Sequence, residues 1–198
     1  MDPSEPQGDA PDAPGEVSDY AAQAVAYVHK ALSVELGYDS ETLSVLDHYL
    51  KVGQIQGEAA THLVAATCGA YFGEVVRRRL GGAWDLVSPD PGTWRLVLAS
   101  GLWISPAAMA LAAIRGPLED ADAEESTNPD AGLPEWGGAE LHAPSDLQQR
   151  VEDILSGMAQ VAEHDFYTLC CRLDALEHVE EILIAERSQA KDPDAAAN

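Results

Sequence analysis

Basic residues are scarce. Lysine occurs three times and arginine eight, against 34 aspartates and glutamates, giving a formal net charge of −23 at pH 7. A nucleic-acid backbone partner would need clustered Lys and Arg, so this balance argues against one. It argues equally against an anionic membrane surface. No apolar run approaches the roughly 18 residues a membrane span needs. The opening MDPSEPQGDAPDAPGE has neither the basic start nor the apolar segment of a signal peptide. Cysteine is rare too, with Cys68, Cys170 and Cys171 odd in number and two of them adjacent, which is no disulfide framework. These absences predict the cytoplasm. The chain also lacks G-x-S-x-G, a P-loop, a dinucleotide glycine fingerprint and H-E-x-x-H.

What remains is a chain of 198 residues, 46% of them hydrophobic, long enough for one domain with a real core. Its charge is unevenly distributed. Residues 1–16 hold five acids and 119–142 hold eight, with no base in either stretch. Residues 17–118 and 143–187 together carry 19 acids against 10 bases, an ordinary acidic balance. The composition predicts a disordered acidic tail over 1–16, a single domain over 17–187 with an acidic flexible loop at 119–138, and a disordered tail over 188–198.

Periodicity predicts a helix over about 19–36, capped by Ser18 and stopped by Gly37, then helices over 41–52 and 55–80. Gly81-Gly82 ends the longest of these. Three short strands follow at Ala83–Ser88, Thr93–Ala99 and Leu102–Ser105, separated by the Pro89-Asp90-Pro91-Gly92 and Ser100-Gly101 turns. A helix over 106–115 opens on Pro106. Ala139–His142 adds an edge strand, and helices over about 145–160 and 165–187 complete the chain. The fold class is α+β, mostly helical, with a small three- to four-stranded antiparallel sheet packed on helices.

The run GAYFGEVVRRRLGGAW, followed by a tryptophan-bearing strand pair and a proline that opens a short helix, resembles a set of bacterial proteins of unknown function. Their shared pattern is a small-residue helix with Y-x-G-E, basic residues and a Gly-Gly-x-Trp exit. The C-terminal DFYTLCCRLDALEHVEEIL resembles their closing helix. The resemblance covers about a third of the chain and implies a fold and a bacterial cytoplasmic setting, with no activity attached. The acidic stretch at 119–135 departs from the pattern.

Several groups invite a chemical reading. Glu74, Arg77 and Arg78 lie three and four apart on one helix, within ion-pair reach, so they are either a carboxylate held at a pocket mouth or a solvated surface cluster. The solvated cluster is the better account. Gly69 and Gly73 make a shallow groove on the same helix, suited to close helix packing or to a ligand against bare backbone; packing is preferred. Glu58 with His62, and Asp174, His178 and Glu181, have helical spacing for metal ligands. The Glu-x-x-His pair of bundle metal sites is missing, so solvated faces explain them better. No metal or cofactor is predicted, and no cysteine carries a sign of a lowered pKa.

The expected function is a non-enzymatic, protein-binding protein whose partner is basic, as an immunity or inhibitor protein's toxin or a chaperone's client would be. Its binding surface combines Trp84, Trp94 and Trp103 with Glu74, Arg77, Arg78 and the acidic loop. The alternative is a small-ligand-binding protein or enzyme with its pocket at the Gly69/Gly73/Glu74 face. A third reading is a subunit of a homo-oligomer.

Overall fold

The longest buried element sets the architecture. In the computed structural model, which describes residues 12–53, 55–116, 141–158 and 163–191, helix α3 (Glu58–Leu80) is buried continuously from Val64 to Arg77. A helix covered on all sides needs small residues where neighbours cross. Here Ala65, Ala66, Cys68, Gly69, Ala70 and Gly73 supply them. Helix α1 (Gly15–Leu32) and helix α4 (Pro106–Arg115) make the most extensive contacts with α3. A Cβ on Gly69 would stand 2.6 Å from the Ala107 backbone, so α4 crosses where α3 has no side chain. Gly73 is filled by the Trp84 indole, 2.3 Å from where its Cβ would be. The close packing expected of the two glycines is therefore present.

Helix α1 departs from its expected bounds. It begins at Gly15, and Ser18 lies inside its first turn, donating its N–H to Pro14 O at 3.0 Å. Burial of Val17 draws that turn onto the core. The helix ends at Ser33, whose φ of 57° is left-handed, four residues before Gly37. Helix α2 (Leu43–Val52) buries Leu43, Leu46, Asp47 and Leu50 along one stripe.

Gly81 and Gly82, with φ of 79° and 115°, turn the chain out of α3 in a conformation that side chains resist. Strands β1 (Ala83–Asp85), β2 (Arg95–Val97), β3 (Trp103–Ile104) and β4 (Leu141–His142) form one antiparallel sheet in chain order. Register aligns Trp84, Leu96, Ile104 and Leu141 in one row across the sheet. Leu96 and Ile104 are fully buried, so this is the inner row. Ala83, Val97, Trp103 and His142 form the outer row. The α+β architecture and the order of the strands match the sequence reading, but the strands are shorter than expected, and Thr93 belongs to a 3-10 turn over Pro91–Thr93.

Helix α5 (Gln148–Gly157) packs through Val151 and Ile154. The closing helix expected over 165–187 is interrupted: α6 (Glu163–Phe166) ends before Tyr167-Thr168, and α7 (Leu169–Lys191) starts anew. Thr168 causes the restart. Its hydroxyl accepts the Cys171 N–H at 3.2 Å, an N-cap contact. Of the tails and loop expected from composition, most of 1–16, all of 119–138 and most of 188–198 lie outside the described residues. Where those tails are described, Gly15-Glu16 and Ser188–Lys191 are helical. Among the described residues no helix is long and apolar enough to cross a membrane.

Candidate functional site

Glu74 is the hub of a buried polar cluster at the last turns of α3. Its Oε1 accepts Arg77 Nε at 2.9 Å and Trp84 Nε1 at 2.6 Å, and its Oε2 accepts Arg77 Nη2 at 2.9 Å. The glutamate is 2% exposed and the arginine 7%. The solvated cluster expected from spacing is thus a desolvated, two-pronged ion pair. Sequence spacing placed the pair correctly, but the shielding comes from Trp84, delivered by the strand beyond Gly81-Gly82. The hydrogen bonds that Arg77 donates to Glu74 raise its pKa further, so it stays charged.

Arg78 faces outward. Its Nε stands 3.8 Å from Glu74 Oε2, and its guanidinium lies 4.4 Å from the centre of the Tyr38 ring, a cation–π contact. Tyr38 has a φ of 57°, rare for a residue with a side chain. Tyr71 holds it there: the Tyr38 N–H donates to the Tyr71 hydroxyl at 2.9 Å, and the rings lie 4.7 Å apart. Burial raises the Tyr38 hydroxyl pKa, and the Arg78 charge works against that rise. Arg79, next along, bridges to Glu177 of α7 at 2.6 Å.

Glu74, Arg77, Arg78 and Trp84 therefore come together, whereas Trp94 and Trp103 belong elsewhere. Trp94 is 4% exposed, donates to Ser88 O at 3.0 Å and meets Tyr20 edge-on. A buried indole offers no surface to a partner, which corrects its place in the expected binding face. Trp103 stands on the outer row, half-buried, with His142 stacked on it at 3.6 Å and Arg95 at 4.1 Å from its ring centre. Burial and the Arg95 charge both lower the pKa of His142. The groove expected over Gly69 and Gly73 is occupied by α4 and the Trp84 ring, so the alternative pocket has no room there.

The outward helix faces are solvated. Asp174, His178 and Glu181 are each exposed, and Glu58 meets His62 at 3.7 Å in the open. Among the described residues no group of three or more His, Cys, Asp or Glu converges in a way that could hold a metal. Burial pushes the Cys68 and Cys170 thiols up to about 12, and raises Cys171 as well, which opposes nucleophilic use.

Sequence reasoning missed three buried charged residues. Asp47 accepts the N–H groups of Leu169 at 2.7 Å and Cys170 at 3.1 Å, closing the start of α7. Glu180 accepts the Ser100 hydroxyl and, at 3.3 Å, the Ser100 N–H. This ties α7 to the turn between β2 and β3, where Arg187 also donates to Ala99 O at 3.0 Å and to Ser100 O. Arg172, 1% exposed, stacks on Phe166 at 4.4 Å. A signal existed for the two acids. Asp47 falls on the stripe of Leu43, Leu46 and Leu50, and Glu180 on that of Leu173, Leu176 and Leu183. A charge inside an apolar stripe marks a buried partner.

Neither protein-family models, nor curated proteins, nor solved structures yield a match to this chain.

Proposed function

We propose that the protein is a non-enzymatic binding protein for a basic protein partner, acting in the bacterial cytoplasm as an immunity-type inhibitor or a chaperone-like protein does. One observation carries the reading. Seven of the eight arginines are engaged with the protein's own groups: Arg77 and Arg78 with Glu74, Arg79 with Glu177, Arg95 with Trp103, Arg150 with Glu186, Arg172 with Phe166, and Arg187 with the β2–β3 turn. Acids meanwhile face solvent on most described elements, among them Glu16, Asp19, Glu41, Asp85, Glu152, Asp153, Asp174 and Glu181. The field reaching a partner is therefore strongly negative. Such a field selects basic partners and speeds encounter more than it adds affinity.

The test is capture of partners from a lysate of the source organism at low and high salt, followed by association kinetics on what is captured. The expected result is a near-stoichiometric basic protein whose association rate falls steeply as salt rises. Capture of nothing at either salt, or an association rate indifferent to salt, overturns the reading.

A further inference from the structure

A cleft of about 230 Å³ opens where the end of α2, the end of α4 and the start of α7 converge. Asp47, Lys51, Ile114, Arg115, Tyr167 and Thr168 line it. Of its two cations, Arg115 is unlike the other arginines of this chain. Lys51 and Arg115 are exposed, and neither forms an ion pair with another described residue. In a protein that turns seven arginines onto its own groups, the eighth stands with a lysine at the mouth of a cleft.

The wall of the cleft carries the opposite charge. Asp47 is 8% exposed. Its oxygens take the Leu169 and Cys170 N–H groups. A carboxylate has about four acceptor positions, so two N–H donors leave acceptor capacity on a residue that lines the cleft. A ligand matching this pair of features presents an anion to the cations and a hydrogen-bond donor to Asp47. The volume equals about seven or eight waters at ~30 Å³ each, which limits the ligand to a few heavy atoms. A carboxylate suits the forked guanidinium of Arg115.

We propose that this cleft binds a small carboxylate bearing a hydroxyl or ammonium group beside its carboxyl carbon, with Arg115 and Lys51 on the carboxylate and Asp47 on the neighbouring donor. Ile114 supplies the apolar wall. The site is separate from the acidic surface proposed to meet a protein partner.

The full chain, labelled with ¹⁵N, is titrated with D-glycerate and with L-serine, with acetate as the donor-free control. Saturable shifts are expected at the Arg115, Gly116 and Thr168 amides, together with a melting temperature that rises with probe concentration. Arg115→Gln and Lys51→Gln each weaken binding tenfold or more while leaving the probe-free melting temperature unchanged, because both side chains are exposed. Acetate binds at least tenfold more weakly than the better probe. Absence of saturable shifts with both probes overturns the proposal. So does binding that survives in both variants, or acetate binding as tight as that of the better probe.

Discussion

The carboxylate of Asp47 accepts the backbone N–H of Leu169 at 2.7 Å, joining the middle of α2 to the first residue of α7 across 122 positions of sequence. The first amides of a helix have no partner within it and carry its positive end. Here a distant acid supplies what the local sequence provides only through Thr168. Asp47→Ala is expected to lower stability by about 1–3 kcal/mol, since it strands buried N–H groups. Hydrogen exchange should quicken at Leu169 and Cys170 before the rest of α7. Unchanged protection there would show that the contact does not hold the helix.

Gly69→Ala and Gly73→Ala test the crossing of α3 with its neighbours. Helix propensity alone favours alanine by about 1 kcal/mol at each position. The opposite sign is expected, and unequally. At Gly69 the new methyl meets the α4 backbone at 2.6 Å, which must move as a unit, costing about 1–3 kcal/mol or more. At Gly73 it meets the rim of the Trp84 ring, a side chain that can yield only by straining its hydrogen bond to Glu74. Urea unfolding of the two variants should therefore rank Gly69→Ala as the less stable.

Removing one partner of the Glu74–Arg77 pair takes from the other buried charge its two-pronged contact. Glu74→Gln and Arg77→Met should each cost about 3–5 kcal/mol. Glu74→Leu combined with Arg77→Met should recover much of that, because two apolar groups have no charge to desolvate. A double variant as unstable as the sum of the singles would show that the two charges do not act as a pair.

Acidification should stabilise the fold over part of the range. Burial raises the pKa of both Asp47 and Glu180 above 3.8 and 4.5, their ordinary values. Between those values and the folded-state pKa the native state binds more protons than the unfolded chain. The contribution of each acid is thus full below its ordinary pKa and is lost as pH rises through the raised one. His142 acts in the other direction: its lowered pKa removes stability as pH falls below 6.5. Thermal melts of the wild type, Asp47→Asn and Glu180→Gln across pH 4–8 separate these effects. Each acid variant should lose part of the stability gained on acidification, whereas His142→Phe should lose the opposing trend.

The sequence made some of this legible for reasons that can be named. Pro106 and Gly116 bracket α4, and α4 runs from Pro106 to Arg115 as spacing predicts, since a proline at N1 and a glycine after the last turn fix both ends locally. The β1–β3 meander follows from the same kind of punctuation. The bounds of α1 were not legible, because Ser18 has the chemistry of a cap while tertiary burial of Val17 decides the start. In the candidate site, spacing placed Glu74 beside Arg77 but could not report their burial. That depends on an indole arriving from ten residues further on. Asp47 and Glu180 were passed over because their partners, Leu169 and Ser100, lie 122 and 80 positions away.

Helix α7 touches α2 through Asp47, the sheet turn through Glu180 and Arg187, and the end of α3 through Glu177. All three attachments come from the last stretch of described chain, after every other element has been made. A ribosome translating this protein therefore releases the six α-helices and four strands of the described residues before the element that fastens them appears. Until residue 187 has cleared the exit tunnel, Asp47 and the β2–β3 turn have no α7 to hold them. Contacts of such long sequence separation close slowly, so the nascent chain exposes apolar surface to its neighbours during synthesis.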